Sequence, residues 1–181
     1  MVIKVKQIEL ILVAVVLTSI FSIASASDTT TKFKTGPFSV SVDLGMPCND
    51  TNISKPVSSE DLGGNSYTDY DTNLCNAEIW IRQWGKDTTQ SFDLISPFST
   101  SDINSGLLGR GADKDTITIF ARKIDGKPAA AGKGYVSKFD KWRYIAGFHI
   151  SSKSYCYIWV WGNETTMISA LKTIHVTEAA T

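Results

Sequence analysis

Few residues in this chain combine a type and a spacing that could do chemistry, and the clearest set is Trp80-Ile81-Arg82-Gln83-Trp84. On a strand, alternate residues share a face, so Trp80, Arg82 and Trp84 would present two indoles and a guanidinium together. Such a face can stack on a sugar or apolar ring and hydrogen-bond its edge, which makes these three the candidate ligand contacts. Packing into the core is the competing role for the rings. Asp69-Tyr70-Asp71-Thr72-Asn73 has the D-x-D-x-N spacing that opens a calcium loop, so Asp69, Asp71 and Asn73 are the candidate metal ligands. The pattern then departs, with Leu74 where such a loop needs glycine and Trp80 where it needs its closing glutamate. A solvated acidic turn is the competing reading, and calcium is the one cofactor the sequence brings forward.

Catalytic signatures are missing from the spacing. The chain has 2 histidines, His149 and His175. His149 falls in an apolar strand, and His175 follows a helix end where a cation suits the dipole, so both read as structural. Neither H-E-x-x-H, a Walker loop nor a dinucleotide glycine pattern occurs. A non-enzyme is expected. Paired carboxylates for glycoside cleavage are defined by separation in space, so an extracellular hydrolase stays as an alternative.

The location follows from the first 26 residues. Lys4 and Lys6 precede an apolar run over 8–23 that holds Glu9, and Ala24-Ser25-Ala26 closes it as an A-x-A cleavage site. The run is too short for a membrane span, which needs roughly 20 apolar residues. The expectation is therefore a cleaved secretory signal over 1–26, a secreted or cell-surface protein, and no membrane insertion after cleavage. Taking Lys4, Lys6 and Glu9 from the 18 basic and 18 acidic residues leaves 16 and 17. That balance, with basic residues dispersed along the chain, argues against nucleic acid and against a polybasic membrane patch.

An exported chain meets an oxidising compartment, which gives Cys48, Cys75 and Cys156 meaning. Cys48 and Cys75 sit at loop edges, whereas Cys156 alternates with Ile158 and Val160 as a small buried thiol would. A Cys48–Cys75 bridge is favoured, worth about 3.5 kcal/mol in the chain-entropy model. Pairings through Cys156, or a bond to another chain, stay open. Zinc is disfavoured, since there is no C-x-x-C. Asn49, Asn52 and Asn163 each begin an Asn-x-Ser/Thr triplet, the acceptor pattern for N-glycosylation in an exported chain, and the first two fall in a Ser-, Asn- and Gly-rich loop over 49–65 that could accommodate a glycan.

The elements that must position these residues are mostly strands, because the dominant hydrophobic period is two. Strands are expected at 38–44, 77–84, 115–124, 134–139, 142–150 and 155–161, with Asp125-Gly126 as a hairpin turn and 127–133 as a loop. The run 155–161 is apolar on both faces, as a covered central strand is. Asn163 should cap a helix over 164–173 whose Met167, Ile168, Leu171 and Ile174 form one stripe. A shorter helix is expected over 100–108. The predicted fold class is α+β: an antiparallel or mixed sheet with a C-terminal helix and one further short helix packed on it. The predicted division is a signal at 1–26, a linker at 27–36, one domain at 37–176 and a polar tail at 177–181.

Gly36-Pro37-Phe38-Ser39-Val40 as a short opening strand, long hairpins in the middle, and a closing helix ending Leu171-Lys172-Thr173-Ile174-His175-Val176 together resemble the PsbP-like α/β/α sandwich class. The resemblance implies an accessory or binding role without a catalytic set. The leading functional expectation is an exported, non-catalytic binding or surface-associated domain for an extracellular ligand or envelope component. The alternatives are a structural part of a cell-envelope assembly and the hydrolase above.

Overall fold

The computed structural model describes residues 28–87 and 97–179, so the expected signal lies outside the described residues. Among them, eleven strands and two α-helices follow in the order β1 (Thr30–Thr35), β2 (Phe38–Asp43), β3 (Asn52–Ile53), β4 (Val57–Glu60), β5 (Ser66–Asn73), β6 (Ala77–Trp84), α1 (Pro97–Gly109), β7 (Thr118–Ile124), β8 (Lys127–Val136), β9 (Lys141–His149), β10 (Ser154–Gly162), α2 (Glu164–Thr173) and β11 (His175–Glu178). The large sheet runs β3-β5-β6-β10-β9-β8-β7, with β4 also on β5, and the small sheet runs β1-β2-β11. Every pairing among the described residues is antiparallel.

This corrects the α+β expectation. The fold is β-rich, 52% strand against 19% helix, and is two antiparallel sheets carrying two helices, not a balanced α+β sandwich. The excess strand comes from segments read as loops. Residues 30–35, assigned to a linker, form β1 against β2, and Thr177 and Glu178, assigned to a tail, belong to β11. The loop over 49–65 contains the short, exposed β3 and β4.

The largest misses are β5, eight residues with 69–73 expected as an acidic turn, and β8, whose Lys-Pro-Ala-Ala-Ala-Gly-Lys-Gly run has low intrinsic strand preference. Packing explains β8: α1 lies so close to it that a Cβ at Gly132 would stand 2.6 Å from Ile103 Cγ2. Small residues let a helix touch the sheet there. The 3₁₀ turn Ser137–Phe139 then replaces the end of the strand predicted over 134–139.

Other local signals worked as their chemistry says. Asp125 and Gly126 both have positive φ, 52° and 72°, as a type I′ hairpin turn requires. The Asn163 side chain accepts from the Thr166 N–H at 2.9 Å and caps α2. Met167, Ala170 and Leu171 of α2 are fully buried in a cluster with Phe38, Val42, Ile158 and Phe148. Burying a side chain such as Met167 or Leu171 stabilises by about 1.5–3 kcal/mol.

The large sheet therefore has two different faces. One, with Ile79, Ile81, Phe148, Cys156, Ile158 and Val160, is an aliphatic core under α2 and the small sheet. The other is covered by α1, whose Ile103 and Leu107 pack on Ala130 and Ile145. β10 lies between β6 and β9 with both faces occupied.

Candidate functional site

Strand register assembles the site on the α1 face. Tyr67 of β5 is paired with Trp84 of β6, Asp69 with Arg82, Asp71 with Trp80 and Asn73 with Glu78. On the other side of β6, Arg82 is paired with Tyr155 of β10, Trp80 with Tyr157 and Glu78 with Trp159. Three adjacent strands thus present rows that alternate aromatic and charged side chains. Trp80, Tyr157 and Trp159 form a continuous tilted series, with ring centres 5.5 Å apart at both steps.

Two guanidinium–carboxylate pairs lie over these rings. Arg82 donates from Nε and Nη2 to the two oxygens of Asp69 at 2.7 and 2.8 Å. Its guanidinium sits 3.8 Å above the centre of Tyr67 and 4.6 Å from that of Trp80. Arg110, just after α1, donates to both oxygens of Glu78 at 2.8 Å and lies 4.0 Å above Trp159. Pairing with both carboxylate oxygens fixes where each guanidinium sits, and the ring below restrains it further.

The α1 wall and this floor border an open, cleft-like cavity of about 670 Å³, lined among others by Asp71, Glu78, Trp80, Arg82, Asp102 and Arg110. Burial pushes the Asp71 carboxyl above the ordinary carboxylate range, and the neighbouring Glu78 charge adds to it, while Arg110 opposes. Oδ1 of Asp71 is buried with no hydrogen-bond partner among the described residues. Burial also raises Asp102, with Arg82 opposing. Tyr155 is pushed up to about 12, chiefly by burial, so its hydroxyl keeps its proton at any ordinary pH. Arg82 stays charged: burial works against it, and its hydrogen bonds to Asp69, with the Asp69 charge, outweigh that.

The candidates from sequence fall as follows. Trp80 and Arg82 line the cavity together, and Trp84 stands at its edge, its ring 5.1 Å from Tyr67. Asp69, Asp71 and Asn73 share one face of β5, but an extended strand is not the turn that wraps a cation in a D-x-D-x-N loop, and both Asp69 oxygens are committed to Arg82. Among the described residues no group of three or more His, Cys, Asp or Glu side chains is placed to hold a metal. Cys48 and Cys75 form a disulfide, and Cys156 is a free, buried thiol. Burial raises the Cys156 thiol well above its usual range, which keeps it unreactive. Asn49, Asn52 and Asn163 are all exposed. His149 stands beside Tyr155, their ring centres 6.3 Å apart. His175 Nδ1 is 2.6 Å from Asp125 Oδ1, so a carboxylate, not only the helix end, fixes it.

Sequence reasoning missed that Tyr155, Tyr157 and Trp159 extend the Trp80 surface, because only register makes two strands into one floor. The signal was present in the shared period of two. Asp102 and Arg110 carried none, since the approach of α1 depends on the small residues of β8.

No protein-family model, no curated protein and no solved structure matches the chain. The disulfide indicates an oxidising environment, and no described helix is long and apolar enough to cross a membrane.

Proposed function

We propose that this is an exported, non-catalytic binding domain whose cavity takes a polyhydroxylated ligand, the chemistry of a glycan. One observation carries the reading: the sheet face beside α1 is a floor of rings, Trp80, Tyr157 and Trp159, interleaved with fixed carboxylates and guanidinia. Sugar rings offer apolar faces to aromatic side chains and hydroxyl edges to bidentate acceptors and donors. A concave site with a few convergent polar groups is where such a ligand binds. Export is supported by the leader and by the disulfide.

The test is calorimetry with cello-, malto-, xylo- and chito-tetraose. At least one should bind, and Trp80→Ala should weaken it by tenfold or more while leaving the fold intact. Failure of all four classes to bind would sink the glycan reading.

The hydrolase reading draws on one feature, a carboxyl raised by burial, Asp71, beside the ion-paired Glu78. In that case the wild type would cleave a tetrasaccharide, and Asp71→Asn would retain binding but lose turnover. Unchanged tetrasaccharide after prolonged incubation would leave binding alone.

A further inference from the structure

The cavity beside α1 has more carboxylate than it has cation to match. The two guanidinia that line it, Arg82 and Arg110, each donate to both oxygens of one carboxylate, Asp69 and Glu78 respectively. Two further carboxylates line it, Asp71 on the β5 floor and Asp102 on the α1 wall. Among the described residues neither enters an ion pair. Asp61, in the loop between β4 and β5, is not part of this surplus, because Lys86 stands close enough to offset its charge.

The surrounding charges do not cancel it. The charges that act on Asp71 are Glu78 and Asp69, both negative, and Arg110, already paired with Glu78. Arg82, already paired with Asp69, is the charge that acts on Asp102. Among the described residues that line the cavity, none is a lysine or a histidine. Asp71 is also the register partner of Trp80, so its carboxylate borders the ring on which a sugar would stack. Its Oδ1 has no hydrogen-bond partner among the described residues.

We propose that the glycan this cavity takes carries free amines: a hexosamine chain whose nitrogens are not acylated. The inference rests on the glycan reading above and adds the ligand's charge to it. A protonated hexosamine keeps an apolar ring face for Trp80 and sets an ammonium at the ring edge, where Asp71 and Asp102 supply acceptors and the balancing charge. A neutral sugar leaves that charge unanswered beside the rings. A uronate or sulfated sugar meets carboxylates, because both guanidinia that would receive it are taken. A metal ion is a poor match, since among the described residues no group of three or more His, Cys, Asp or Glu side chains is placed to hold one. An ammonium has three donors and needs only scattered acceptors.

The experiment is calorimetry at low salt and about pH 6, where amines are protonated and exposed carboxyls ionised. The ligands are glucosamine tetraose, its N-acetylated form, cello-tetraose and tetragalacturonate, with spermidine as a cation that is not a sugar. Glucosamine tetraose should bind about tenfold tighter than cello-tetraose, the gap closing as salt rises, and tetragalacturonate should bind weakest. Asp71→Asn and Asp102→Asn should each lower the ratio of the first two affinities about fivefold, the upper end for a part-exposed ion pair. A neutral or acidic chain that binds as tightly as glucosamine tetraose, or a ratio that neither variant moves, overturns this inference and leaves the glycan reading standing. Spermidine binding as tightly as glucosamine tetraose, or glucosamine tetraose binding where no neutral chain does, also overturns it, because the site would then read cations without a sugar. If no tetrasaccharide binds, both readings fall together.

Discussion

Replacing Gly132 by alanine should destabilise the protein by about 1–3 kcal/mol, the range for overpacking a filled core. The added Cβ would meet Ile103 Cγ2 at 2.6 Å, Leu107 Cδ1 at 3.1 Å and the Thr118 carbonyl oxygen at 3.2 Å. Ordinary carbon contacts lie at about 3.5–4.0 Å, so Ile103 must retreat by roughly 1 Å. The carbonyl cannot swing aside, because it belongs to the paired backbone of β7 and β8. Alanine in a strand interior normally gains about 0.5–1 kcal/mol over glycine through backbone entropy, which the clash has to exceed. The assay is urea unfolding followed by circular dichroism, with Ile103→Ala and the double variant alongside. Ile103→Ala alone should cost about 2–5 kcal/mol, and the double variant less than the two losses added, because the shortened side chain makes room for the new methyl. A Gly132→Ala protein as stable as the wild type, or strict additivity, would refute the claim that close α1–β8 approach fixes this face of the sheet.

Other consequences follow from the same geometry. Removing the Cys48–Cys75 bridge by a Cys48→Ala, Cys75→Ala pair should lower stability by about 3.5 kcal/mol in denaturant titration. Asn163→Ala should cost about 1 kcal/mol in the same titration by stripping the α2 cap. Asp71 gives a pH dependence of known sign: burial raises its carboxyl above the ordinary value in the folded protein, so ionisation favours the unfolded chain. The penalty is absent below the ordinary carboxylate value and complete once pH has risen through the folded one. Asp71→Asn should therefore gain on the wild type as pH climbs from acid to neutral, and a constant difference across that range would contradict the burial of this carboxyl.

How much was legible depends on whether a signal was local. The two-faced apolar run of β10, the Asn163 cap with its stripe, the Asp125-Gly126 turn and the loop-edge cysteines are all decided by neighbours in sequence, and each reads directly. β8 was not legible, because Pro128, three alanines and two glycines serve the approach of α1, a tertiary demand that overrides strand preference. β1, β3, β4, β5 and β11 were short or polar, so their pairing, not their composition, makes them strands. Missing them turned a β-rich fold into an expected α+β one. Trp80, Arg82 and Trp84 were visible as one face, whereas the floor they share with Tyr157 and Trp159 depends on a register the sequence does not state.

The chain has 5 tryptophans, at 80, 84, 142, 159 and 161, which makes their indole N–H resonances a direct map of where a ligand sits. The decisive measurement is a heteronuclear NMR titration of the folded protein with the four tetrasaccharides. A ligand in the cavity will shift the Trp80 and Trp159 signals saturably and leave Trp142, on the other face, in place. Shifts confined to Trp142, or none at any tryptophan with all four sugars, would contradict the binding site assigned to this face.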